Sequence, residues 1–372
     1  MSSSNDKGLG NKSIIVIIGL IASCIAICTF LTGWQSIWDV VRSLLSPSAP
    51  TSPKQQPTSE LVVTVPTNVS TPTFPSVPVN WTSLGLVREP VSDISSSGDV
   101  IYVATEGAQH GIFKSEDLGK SWQAINNGLL YYDIRQVEVS PTNPNYVYIA
   151  SRTIWRSADG GATWFDTDFG HRLEPPTIAI IDGQLLVGGN NEVGFYISHD
   201  SGNNWTPFGD SLNILVYKLF VAPSDRMVVY ATGWPSMKKI VVGDKWLPLA
   251  NVGSGLEVLD LGISYHDPSL LFVGTPAGVY KSEDGGGSWI PVNGTLPEQG
   301  KDLSCNSIQT SQWENTEVFA VCKGKIYQSK DLGAQWSLIQ SPDEVNIIHL
   351  MSDSKIMLAA TKELGIFSYT LP

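Results

Sequence analysis

The chain has 372 residues, a formal net charge of −12 and only 16% charged residues, against 34 glycines, 23 prolines and 12 tryptophans. An acidic balance with sparse Lys and Arg excludes a non-specific nucleic-acid binder, which has to neutralise phosphates. The Gly, Pro and Trp content points to many short strands and tight turns rather than to helices.

Residues 1–12 form a short polar tail in which Lys7 and Lys12 stand against Asp6. From Ser13 to Gly33 the chain carries no charge at all. About 20 apolar residues suffice to cross a hydrocarbon core of roughly 30 Å, so a transmembrane helix is expected here. A cleavable signal peptide is the rival reading; its apolar core would be only about 7–15 residues and would end at a small-residue cleavage site. Trp34 and Trp38 follow where an interfacial aromatic belt would sit, and a stripe through Ile37, Val41, Leu44 and Leu45 carries the helix on to residue 45. The two lysines ahead of the span place the N-terminus in the cytoplasm and everything after it outside. Residues 46–78 are dominated by Pro, Ser and Thr, a composition that cannot bury enough apolar surface to fold and reads as a disordered spacer.

From residue 79 to 372 the chain is repetitive. The pattern S-x-D-x-G-x-x-W occurs five times, at Ser115-Asp117-Gly119-Trp122, Ser157-Asp159-Gly161-Trp164, Ser198-Asp200-Gly202-Trp205, Ser282-Asp284-Gly286-Trp289 and Ser329-Asp331-Gly333-Trp336. A short apolar strand precedes each, and two further alternating runs precede that, so the unit is strand, turn, strand, turn, strand, box, strand. The chemistry explains the residue types. A short Asp side chain can accept backbone N–H groups within a tight turn, the Gly supplies a positive φ, and the Trp covers area that a small sheet otherwise lacks.

The tryptophans count the units. Trp81, Trp122, Trp164, Trp205, Trp246, Trp289 and Trp336 are separated by 41, 42, 41, 41, 43 and 47 residues. Trp246 keeps the phase although its box has decayed to KIVVGDKW, and Trp81 begins an outer strand with nothing in front of it. Three strands at the C-terminus lack an outer partner. The reading is a seven-bladed all-β propeller whose last blade is completed by the Trp81 strand, which leaves no open sheet edge in the ring.

Four cysteines are present. Cys24 and Cys28 lie in the apolar segment, and Cys305 and Cys322 flank a hairpin that sets them opposite each other, as a cross-strand disulfide or as two buried thiols. With no CxxC pair and no His/Cys cluster, no metal site and no cofactor is expected. A Ser-nucleophile elbow, HExxH helix, P-loop and dinucleotide fingerprint are all missing, so no catalytic residue is assigned.

The boxes resemble those of the BNR/Asp-box superfamily, over residues 81–372. The resemblance implies the propeller fold and says little about function, since the boxes sit at blade turns. Sialidase-like members need an Arg-Ile-Pro motif and three arginines gripping a carboxylate, neither of which is evident. Xyloglucanase-like members enclose substrate between two propellers, and this chain has one. The layout is most similar to propeller factors that assist photosystem II assembly, although their arginine-rich patch is not evident.

In this register the loops joining one blade's outer strand to the next blade's inner strand share a face with the loops joining the two middle strands. They bring together Arg88, Tyr131, Tyr132, Arg152, His171, Arg172, Trp234, Glu257 and Glu363 as candidate binding residues, aromatics and arginines being enriched where proteins bind partners. The expected function is a non-catalytic, membrane-anchored protein-binding scaffold or assembly factor outside the cytoplasm, with a protein partner. The alternative is a surface glycan-binding protein or glycoside hydrolase, for which two carboxylates about 5–10 Å apart in a cleft would be required.

Overall fold

The computed structural model describes residues 80–372 apart from 108–109, 171–176, 182, 189–193, 209–214, 235–236, 242–244, 298–302 and 353. The expected tail, transmembrane helix and spacer lie outside the described residues.

Seven four-stranded antiparallel sheets follow one another along the chain. In each, the strands run from an inner strand outward, and burial falls in the same order. The second strands, such as Val147–Ala150, Leu271–Thr275 and Val318–Cys322, are buried at every position, because both of their faces meet a neighbouring blade. That is why these segments are continuously apolar rather than alternating. The outer strands that follow the box tryptophans are only two or three residues long and largely exposed, for example Gln123–Ala124 and Ser337–Ile339. Keeping edge strands so short limits pairing with other chains.

The inner strands are Val91–Ser97, Gln136–Val139, Thr177–Ile181, Leu215–Val221, Asp260–Ile263, Cys305–Thr310 and Val345–Leu350, in blades one to seven. Blade seven closes the ring. Trp81–Gly85 pairs antiparallel with Ile366–Thr370, with Trp81 opposite Tyr369 and their rings stacked at 5.0 Å.

The described core consists of seven apolar clusters, one at each junction between blades. Ile112 and Tyr102 of blade one pack with Ile149 and Trp155 of blade two. Met351 and Leu358 of blade seven pack with Ile94 and Ile101 of blade one. The box tryptophans belong to these junctions. The indole N–H of Trp122 donates to the Leu84 carbonyl at 2.6 Å, Trp164 to Ile125 at 2.6 Å and Trp336 to Val292 at 2.7 Å. Leu84 lies within the outer strand of the preceding blade, and Ile125 and Val292 just after theirs. The sequence suggests a tryptophan that packs across its own blade; the structure shows one that also ties that blade to the one before.

Within the box the serine is as important as the aspartate. Ser115 is buried, donates its hydroxyl to Asp117 at 2.8 Å and accepts the Gly119 N–H at 2.7 Å. Asp117 in turn accepts the Ser121 backbone N–H at 2.9 Å and the Ser121 hydroxyl at 2.7 Å. Gly119 has φ +86°, where a side chain would be strained. These donors hold the carboxyls of Asp117, Asp159, Asp200 and Asp284 down to a pKa of about 2. In blade six Gln335 offers Asp331 only its backbone N–H, at 2.8 Å, and that carboxyl too is lowered.

Cys305 and Cys322 are joined by a disulfide across the first two strands of blade six, with Cα atoms 4.0 Å apart.

Candidate functional site

The propeller has two unlike ends. One carries the box turns and the turns after the inner strands; the other carries the loops singled out from sequence. On the loop end, Leu130, Tyr131 and Tyr132 lie between blades one and two and are 75%, 40% and 36% exposed. The Arg152 guanidinium, from the middle loop of blade two, sits 5.0 Å from the Tyr131 ring centroid, a cation–π contact that holds both side chains at the surface. Beside them the Asp133 carboxylate accepts the Gly107 N–H at 3.2 Å, and His110 contacts Glu89.

The other sequence candidates are scattered. Arg88 is exposed at φ +65°, and its backbone N–H donates to the Glu363 carbonyl at 2.9 Å, which ties two loops of the closing blade together. Glu257 lies beside Tyr217 and raises the pKa of that phenol, second to the effect of burial. Trp234 ends the second strand of blade four; its side chain is outside the described residues, as are His171 and Arg172. The structure thus brings Tyr131 and Arg152 together, with Tyr132 next in the same loop, and sets Glu257 against Tyr217.

The second region was not singled out from sequence. A cavity of about 390 Å³ runs along the propeller axis. Its walls come from the later halves of the inner strands and the turns beyond them. Asp93 and Asp260, each 8% exposed, lie deep, whereas Arg226 and Tyr265 are exposed at the turns. The cavity therefore opens at the box end, opposite the loop face.

The cavity floor departs from a repeating device. At the corresponding position of most inner strands, a polar side chain accepts a backbone N–H from the next blade's inner strand. Asp93 accepts from Val137 at 3.1 Å, Gln136 from Ile178 at 3.0 Å, Thr177 from Leu219 at 3.0 Å, Asp260 from Ile308 at 2.8 Å and Ser307 from Ile348 at 3.3 Å. In blade four that position, just after a bulge, is Lys218, which can only donate. Its ammonium instead crosses the axis to Asp93 at 3.5 Å and lies over the Phe220 ring at 5.5 Å.

The electrostatics follow from this crowding. Burial pushes the carboxyls of Asp93 and Asp260 up, against the opposing pull of Lys218. Glu138 is raised to about 7, by burial and then by the charge of Asp93. Desolvation works against the Lys218 ammonium, yet Asp93, Asp260 and Glu138 together raise its pKa, so the floor carries an excess of negative potential. His349, bonded through Nε2 to the Ser96 hydroxyl at 2.8 Å, is lowered to about 4 and stays neutral near pH 7.

Strand order, seven blades and closure by both termini define the class, a seven-bladed β-propeller. No protein-family model matches the chain, and no curated protein matches it in sequence. Among solved structures it is similar to the GH74 xyloglucanase from Xanthomonas campestris, with a TM-score of 0.63 and 16% identity over 77% of this chain. The chain spans only about half of that enzyme, 53%. It is similar to YCF48 bound to D1 peptide, with a TM-score of 0.63 and 18% identity over 80% of this chain and 100% of that one. YCF48 from Cyanidioschyzon merolae gives a TM-score of 0.62 and 15% identity over 78% of this chain and 98% of that one. At such identities the likeness establishes the fold alone, and it reaches an enzyme and a peptide-binding protein equally.

Proposed function

We propose that the chain is a non-catalytic protein-binding scaffold, anchored in a membrane by residues 13–45 with its propeller outside the cytoplasm. The observation that carries this reading is the exposed Leu130-Tyr131-Tyr132 run fixed by Arg152. Rigid aromatic and guanidinium groups on a pre-formed face bury large area at low entropic cost, which is what a protein contact requires. The disulfide suits an oxidising compartment. The YCF48 propeller bound to D1 peptide adds support, as a single propeller of this size that takes a polypeptide.

The test uses the full chain in native membranes, crosslinked and co-purified, as wild type and as the double variant Tyr131→Ala/Arg152→Ala. The expected result is a discrete protein partner whose recovery falls at least about tenfold in the variant, the loss of roughly 1.4 kcal/mol or more, with the thermal midpoint unchanged. Recovery unaffected by the variant, or binding of the isolated propeller to glycans with no protein partner, would overturn it.

One observation favours a second reading, a glycan-active protein: the channel holds three carboxylates, and the protonated form of Glu138 persists to about pH 7 as a general acid would require. Against it, Asp93 and Asp260 are committed to backbone N–H groups of neighbouring blades. Release of reducing ends from xyloglucan or another β-glucan by the purified chain, abolished in Glu138→Gln, would replace the first reading with this one.

A further inference from the structure

The junctions between blades are not fastened equally, and blade four is loosely tied on both of its sides. Apolar packing does not distinguish it, since a buried cluster fills the junction of blades three and four, and that of blades four and five, as it does the others. The polar ties do. A box-position tryptophan fastens each blade to the one before, and its bond lengthens with distance from the closing blade. The indole N–H donates at 2.6 Å from Trp81 to Gln340, from Trp122 to Leu84 and from Trp164 to Ile125. The distance is 2.7 Å for Trp336, 3.1 Å for Trp289 and 3.4 Å for Trp205. At Trp246 the N–H is buried and has no acceptor among the described residues. Trp246 belongs to the junction of blades three and four, which lies opposite blade seven in the ring.

The second defect is on the other flank. Along the axis an inner-strand side chain accepts an N–H of the next blade, but in blade four that side chain is Lys218, which has only donors. The Leu261 N–H that it would have engaged turns to the carboxylate of its own Asp260. Lys218 reaches across the axis to Asp93 instead. Between blades three and four the described ties are Thr177 to the Leu219 N–H at 3.0 Å and Arg226 to the Ile180 carbonyl at 3.4 Å. Blades one and two, by contrast, are tied at both radii. Asp93 and Ser95 accept from Val137 and Val139 near the axis, and Tyr102 and Trp164 donate farther out. Blade seven also lacks the inner acceptor, with Ile347 in its place, yet it keeps the Trp122 bond to blade one and adds the Ser96–His349 bond at 2.8 Å.

We propose that blade four is a built-in opening unit of the ring, which parts from its neighbours at a lower free energy than blades one, six or seven open, while the terminal closure stays shut. A local opening starts where the fewest buried directional bonds have to break. The parting bares the axial cavity along one side, because Lys218, Leu219 and Val221 form part of its wall. It leaves the proposed protein contact in place, because Tyr131 and Arg152 stand at the well-tied junction of blades one and two.

Hydrogen exchange of the full chain in detergent, followed by mass spectrometry at rising sub-denaturing guanidinium, measures the opening of each blade. The expected result is a common opening of Leu215–Val221 and Val228–Trp234. Its constant should be at least about tenfold above those of Val100–Thr105 in blade one, Val318–Cys322 in blade six and Ile366–Thr370 in blade seven. Two variants remove the same kind of bond at different junctions. Thr177→Val strands the Leu219 N–H and should raise the blade-four constant about tenfold further. Ser307→Ala strands the Ile348 N–H but should raise exchange in blades six and seven less than about threefold, because Trp81 and Asn306 still tie them. Opening of the blade-seven strands before blade four, exchange of all blades together, or equal responses to the two variants would overturn the proposal. The wild-type profile alone decides if a variant fails to fold.

Discussion

Acidic residues recur in two regions of this propeller, and their surroundings oppose each other. At the rim, the box aspartates are surrounded by donors that lower their carboxyls, those of Asp117, Asp159, Asp200 and Asp284 to about 2. Along the axis, Asp93, Glu138 and Asp260 line a cavity, and burial raises their carboxyls despite the donors they have. The rim acids repeat because each blade needs the same turn. The axial acids vary because each blade presents a different side chain to a shared space. Repetition marks what builds the ring, and departure from it marks where the ring can do something particular.

The same contrast appears within the rim, and it gives the largest expected effect. Trp164 donates its indole N–H to the Ile125 carbonyl, whereas the Trp246 indole N–H, in the blade whose box has decayed, is buried with no partner among the described residues. Replacing Trp164 by Phe should lower stability by about 1–3 kcal/mol, because it strands a buried carbonyl. Trp246→Phe removes an orphaned donor and should cost clearly less. Chemical denaturation midpoints of the two variants make the comparison, and equal losses would break it.

A smaller effect is expected on the axis, with the sign set by the raised carboxyl. The Glu138 pKa moves from an ordinary 4.5 to about 7 on folding, so the folded state favours the neutral form. Its stabilising contribution is complete below pH 4.5 and is lost as pH rises through 7. Glu138→Gln mimics the neutral form. It should raise stability at pH 8 on the order of 1 kcal/mol, allowing for channel water, and change it little at pH 4. Thermal melts at the two pH values read this directly.

The smallest effect belongs to a single box. Asp117 falls from an ordinary 3.8 to about 2, so its contribution is present above about pH 4 and is lost as pH drops through 2. Asp117→Asn should make the acid loss of stability between pH 4 and pH 2 slightly shallower than in wild type. A steeper loss would count against the turn-forming role.

The ring was legible in the sequence because its devices repeat. Trp246 could be placed by phase alone, and Trp81 could be assigned to the last blade from a missing outer strand. The channel was not legible for the opposite reason. Asp93, Lys218 and Asp260 stand singly in VSDISSS, LVYKLFV and EVLDLGI, and strand alternation says which face each residue takes, not that seven strands share one axis. Lys218 and Asp93 meet across 125 residues of sequence. A usable signal was present: charged residues within the inner strands of blades one, two, four and five, Asp93, Glu138, Lys218 and Asp260, are costly in a purely structural core. On the loop face, the register put Tyr131 and Arg152 at the same end, but only packing brought the guanidinium over the ring.

The pairing of Trp81–Gly85 with Ile366–Thr370 has a consequence for how the protein is made. The first strand of the ring to leave the ribosome is the last to find its place, because its partner is synthesised 288 residues later, from Trp81 to Tyr369. At about 5–20 residues per second, that is a wait of some tens of seconds. During it, Trp81 lacks its Tyr369 stacking partner, and the growing arc carries a free edge at its leading blade. Newborn chains are therefore open at both ends until the Ile366–Thr370 strand has been made. That interval, rather than the closed ring, is when neighbouring copies can pair in error and when a chaperone has most to protect.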